Sequence, residues 1–110
     1  GETGPLPGAL PQPFPGTVFA LPPDVALHDG EGRNVSIENS ELCGTPASLV
    51  FGERRLGLVS WAGPWPVTER WWDAAQARYA HRLQVLDERG IGWLLTTSQG
   101  HEWRIEARYD

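Results

Sequence analysis

His28, His81, His101 and Cys43 are the side chains in this 110-residue chain best suited to hold a metal or carry nucleophilic and acid–base chemistry. They stand in separate segments, and no two have the H-x-x-x-H or C-x-x-C spacing that brings ligands onto one metal. Neither a metal nor a cofactor is therefore expected. Cys43 precedes Gly44 and has no basic neighbour to activate its thiol, so it reads as a buried or loop cysteine unless folding brings His28 or His81 to it. The fourteen carboxylates are scattered over segments that read as loops and solvent faces, which gives no acid–base pair. Ser48 and Ser60 lack a nucleophile-elbow context, and neither a G-x-x-x-x-G-K-[ST] nor a G-x-G-x-x-G run is present to cradle phosphate. The expectation is a chain that is not an enzyme.

The densest chemical signal is aromatic. Six tryptophans occur, four of them inside Trp61-Ala62-Gly63-Pro64-Trp65-Pro66-Val67-Thr68-Glu69-Arg70-Trp71-Trp72-Asp73. An indole combines a large apolar area with one N–H donor, so such a cluster either anchors a small core or forms a hot spot for a partner. Trp61, Trp65, Trp93 and Trp103 are expected to fill the core or close a barrel end. Trp71 and Trp72 are adjacent and diverge in any regular conformation, so at least one belongs near the surface. There, beside Pro66, Glu69 and Arg70, it suits a protein interface.

Composition narrows the partner classes. A hydrophobic fraction of 40% and a charged fraction of 21% describe one ordinary globular domain. No apolar run approaches the roughly 18 residues that cross a bilayer, and no signal peptide is visible. The single cysteine makes an oxidising compartment unnecessary and points to the cytoplasm. The chain begins at Gly1 and reads as a piece of something longer. All nine basic residues are arginine, and the net charge of −5 repels polyanions at long range. Residues 54 to 82 nevertheless hold Arg54, Arg55, Arg70, Arg78 and Arg82 against Glu69 and Asp73. On a small barrel, that local surplus would serve weak single-stranded DNA binding; the competing reading pairs these arginines with carboxylates or aromatic faces.

The elements that must position these groups are strands. Residues 1 to 16 carry five prolines and four glycines and read as a linker or extended arm. Residues 17 to 110 read as a mostly β domain, a small antiparallel barrel or strongly curved sheet of about seven strands with one short helix. Val18-Phe19 is a short strand. Val25 to His28 and Asn34 to Glu38 flank Asp29-Gly30-Glu31-Gly32-Arg33 as a hairpin, and Leu49 to Phe51 and Arg55 to Trp61 flank Gly52-Glu53-Arg54 as a second. Gly63-Pro64 is expected to end that strand. Asp73 caps a helical turn or two reaching Arg78. Tyr79 to Leu86, Gly92 to Thr97 and Trp103 to Tyr109 form an antiparallel meander, the last with strict alternation of apolar and charged residues.

The run from Trp61 to Asp73, then Arg82-Leu83-Gln84-Val85 and the end Glu106-Ala107-Arg108-Tyr109-Asp110, closely resembles the C-terminal region of actinobacterial ImuB proteins. These are catalytically inactive homologues of Y-family DNA polymerases. The likeness covers roughly residues 17 to 110 and is strongest from 61 onward. It implies a part in the mutasome, which carries out SOS-type, DNA-damage-induced mutagenesis and translesion synthesis during DNA repair. It further implies protein–protein contacts with a RecA-like accessory protein and an error-prone C-family DNA polymerase. The family's clamp-binding motif has no equivalent here, so clamp binding is not carried over. The partner-binding residues expected on these grounds are Pro66, Glu69, Arg70, Trp71 and Trp72, flanked by Arg78 and Arg82. The competing expectation is a single-stranded DNA-binding accessory module of the same complex.

Overall fold

A computed structural model describes residues 17–69 and 78–110. The strands are β1 (Thr17–Val18), β2 (Asp24–His28), β3 (Ser36–Glu38), β4 (Glu41–Cys43), β5 (Ser48–Phe51), β6 (Arg54–Glu69), β7 (Arg78–Asp87), β8 (Gly92–Thr97) and β9 (Trp103–Tyr109). Sheet order is β1-β9-β2-β5-β6-β7-β8, and β8 also pairs with β9. Six strands from β2 to β9, omitting the β3–β4 hairpin, therefore close an antiparallel up-and-down barrel, to which β1 adds as an extra strand on β9. Closure is economical for so short a chain, because it leaves the wall with few bare edges.

The meander of β7, β8 and β9 follows directly from its side-chain period. On β9, Trp103, Ile105 and Ala107 are buried while Arg104, Glu106 and Arg108 are not, and Leu83–Leu95–Ile105 form one row across the three strands. Leu27, Leu49 and Leu56 close the core from β2, β5 and β6. The β5–β6 hairpin also stands as the sequence predicts, with Gly52 at φ 60° in the tight turn between Phe51 and Arg54.

Two segments depart from expectation. The turn from Asp29 to Arg33 forms, closed by a His28–Asn34 bridge and by both backbone donors that Asp29 Oδ1 accepts, Glu31 N at 2.8 Å and Arg33 N at 2.9 Å. Beyond Val35, however, the chain leaves β2, and β3 pairs with β4 instead. The apolar side chains of Val35 and Ile37 are buried across the barrel end, and three bonds tie this segment to the β8–β9 turn and the first residue of β9. Trp103 Nε1 donates to Val35 O at 2.8 Å, Ile37 N to Gly100 O at 2.6 Å and Asn34 Nδ2 to His101 O at 2.9 Å.

The second departure is at Gly63-Pro64, which does not end β6. The strand continues to Glu69 through a cis peptide bond and a register shift between Ala62 and Trp65. From Leu58 onward the ladder pairs β6 with β7 alone, and such an edge tolerates proline. Arg78 is the first residue of β7 rather than the end of a helix. The rest of the expected helix, Asp73 to Ala77, lies outside the described residues.

Candidate interaction surface

β6 is sixteen residues long, yet only Arg54–Gly57 pair with β5, and a bond from Leu58 N to Ala47 O at 2.9 Å is the last tie on that side. Its remaining length pairs with β7, whose own partner β8 begins only at His81. Val67–Glu69 and Arg78–Ala80 thus form a two-stranded ribbon beyond the barrel wall. The tryptophan-rich run lies along the distal half of β6 and into residues 70–77.

This half of β6 is irregular in two places. Register shifts fall between Leu58 and Ser60 and between Ala62 and Trp65. Gly63 has φ 109°, and a Cβ there would stand 3.0 Å from Arg82 O and 3.1 Å from the Trp65 ring, so the close approach of the indole to the backbone requires glycine. Just before it, Val59 is 59% exposed and Trp61 41% exposed. Trp61 therefore departs from the core placement expected of it. Its position opposite Val85 falls where β5 no longer pairs with β6, so that side of the wall does not cover it. Trp65 is half-buried, whereas Trp93 and Trp103 are buried as expected.

Of the residues predicted to bind a partner, Pro66 is exposed and sits opposite His81, one register position from Trp65 and Arg82. Arg82 binds Glu106 through both carboxylate oxygens, Nε to Oε1 at 2.7 Å and an Nη to Oε2 at 3.3 Å. The backbones of Glu69 and Arg78 pair at the outer end of the ribbon. Arg70, Trp71 and Trp72 lie outside the described residues. The ladder thus places Pro66 and Arg82 one register position apart on the facing strands β6 and β7, and Glu69 and Arg78 opposite one another at the end of the ribbon. The structure adds Val59 and Trp61, which the sequence reading missed. A usable signal existed: two prolines within one β-run mark a strand whose edge is free.

Arg54 and Arg55 lie at the other end of β6, about ten residues from Trp65, a distance on the order of 30 Å along a strand. The Arg54 guanidinium lies 5.7 Å from the Phe51 ring centre, and Arg55 donates to Ser48 Oγ at 3.1 and 3.3 Å. The three arginines of the predicted basic patch whose side chains are described are each engaged, and Arg54 and Arg55 stand apart from Arg82.

Comparison with family models, with curated proteins and with solved structures gives no match for the chain. The site is therefore read from its own geometry. Among the described residues, no three His, Cys, Asp or Glu side chains are grouped to hold a metal ion. Cys43 is exposed on β4. His81 lies on β7 with Nε2 buried and without a hydrogen-bond partner among the described residues. A polar cavity of about 300 Å³, lined by Thr96, Ser98, Gln99, Glu102, Arg104 and Glu106 among others, opens beside the Arg82–Glu106 pair. Also among the described residues, no helix is long and apolar enough to cross a membrane.

Proposed function

We propose that this chain is a non-catalytic protein-binding domain that recruits a RecA-like accessory protein, an error-prone C-family polymerase, or both, to damage-induced translesion synthesis in the cytoplasm. The observation that carries the binding role is the distal half of β6, where an indole and a valine are exposed on a strand paired on one side only. Exposed tryptophan on a rigid strand offers a large contact area at little cost in side-chain entropy, the usual make-up of an interface hot spot. The resemblance of the Trp61–Asp73 run to ImuB supports the choice of partners. The isolated and already engaged positions of Arg54, Arg55 and Arg82 favour this reading over single-stranded DNA binding.

The test is a parallel titration, at near-physiological salt, against the accessory protein, the polymerase and a fluorescent single-stranded oligonucleotide. Saturable binding to either protein without DNA binding is the expected result. Salt-dependent binding to the oligonucleotide alone would overturn it.

A further inference from the structure

The open stretch of β6 has defined ends. On the near side, Leu58 N is already bonded to Ala47 O. There too the Glu88 carboxylate lies against Gly57, with Oε2 2.6 Å from where a Cβ would stand and with no partner among the described residues. On the far side, the Gly63–Pro64 cis peptide lies within a register shift, and neither Pro64 nor Pro66 has an N–H to offer an added strand. Between these limits Val59–Ala62 have no ladder partner on their outer side among the described residues, and Val59 and Trp61 expose their side chains.

We infer that this edge accepts a short extended segment of a partner protein as an added strand, with apolar residues against Val59 and Trp61 and a basic residue meeting Glu88. The inference rests on the protein-binding reading above and names the chemistry of its partner. Unpaired backbone donors and acceptors along a strand edge are best matched by another extended chain, with side-chain pockets supplying selectivity. The proline bulge limits the match to about four residues, which excludes a long intermolecular sheet. Charge selects the flank: a carboxylate without a partner among the described residues, on a chain of net charge −5, favours a lysine or arginine beside the apolar residues and disfavours a phosphate backbone.

The experiment is amide hydrogen exchange on the whole chain, alone and with the RecA-like accessory protein or the error-prone polymerase, repeated on Glu88→Lys. The expected result is added protection concentrated in Val59–Ala62, with affinity for the same partner about ten-fold weaker in Glu88→Lys and that loss shrinking at high salt. Unchanged exchange in the β7–β9 meander of the free variant shows that the fold is intact. Binding that protects other segments and ignores Glu88→Lys overturns strand addition and leaves the recruitment role standing. Absence of binding to both proteins overturns the recruitment role and strand addition with it.

Discussion

Trp93 Nε1 donates to Asp87 Oδ2 at 3.1 Å, joining a buried indole to a buried carboxylate where β7 turns into β8. The same carboxylate accepts Arg89 N at 2.8 Å, Ile91 N at 3.0 Å and an Arg89 guanidinium N–H at 3.1 Å, so one side chain organises the whole turn. Burial opposes its charge, and the hydrogen bonds from Trp93, Ile91 and Arg89 outweigh burial and hold its carboxyl below the usual carboxylate range.

A carboxyl held low in the folded state stabilises the fold above its unfolded value of 3.8 and loses that contribution as pH falls through the lower folded value. Unfolding free energy is expected to be steady from neutrality to about pH 5 and to drop below about pH 4. Asp87→Asn should destabilise the neutral protein by about 2–4 kcal/mol, because the amide keeps one acceptor oxygen and turns an NH2 toward the donors that the other oxygen served, and should flatten the acid limb. Urea melts across pH check both. An unchanged acid limb in the variant would assign the acid sensitivity to Asp29 and Asp110, whose carboxyls are also held low.

Gly100 is the tightest backbone contact at the barrel end. Its φ is 88°, and a Cβ would stand 2.6 Å from the carbonyl oxygen of Ile37. Gly100→Ala should cost about 2–3 kcal/mol, against about 1 kcal/mol for Gly52→Ala, where φ is 60° but the space around is open. Equilibrium denaturation of the two variants side by side separates steric contact from backbone conformation alone.

Trp103→Phe keeps most of the apolar volume and removes the donor to Val35 O, so a loss of about 1–3 kcal/mol is expected from the stranded carbonyl. Increased exchange should appear in Val35–Ile37 before it appears in β7 or β8. Equal loosening of all strands would show that the bond does not specifically hold the β3–β4 cap.

Trp61→Ala removes an indole that is 41% exposed and outside the main core cluster, so stability should fall by no more than about 2 kcal/mol. Affinity for the protein partner should fall at least about thirty-fold, the loss expected of a hot-spot residue. Calorimetric titration beside a thermal melt distinguishes this from an indirect folding defect.

Arg82 and Glu106 form a pair whose side chains are 41% and 25% exposed. Arg82→Ala should therefore cost no more than about 1 kcal/mol of stability. Since Arg82 adjoins Trp65 in register, partner affinity should fall more than stability does. An affinity equal to that of the unaltered protein would remove Arg82 from the interface.

The barrel was most legible where local pattern and tertiary demand coincide. On β9 the two-residue period alone separates Trp103, Ile105 and Ala107 from their charged neighbours, and burial follows it. The Asn34–Glu38 segment leaves the expected hairpin because its apolar face is used by the barrel end, a demand made by Trp103 and Gly100 more than sixty residues away. The passage of β6 through Pro64 was not legible locally. A proline forbids a ladder bond only on the side where its N–H would point, and which side is free depends on where β5 stops. The exposure of Trp61 has the same origin: whether an indole in a strand is covered depends on the neighbouring strand, not on its own sequence.

The pairing of Asp24 with Arg104 joins residues from opposite ends of the described chain. Since β9 lies between β2 and β8, it is the stave that completes the ring, and the earlier strands on their own present two bare edges to one another and to any neighbouring molecule. A chain that stops after Thr97 therefore holds five of the six staves of the wall and cannot close it. In that state it is vulnerable to sticking to its own kind, and a nonsense change between Thr97 and Trp103 would fix it there.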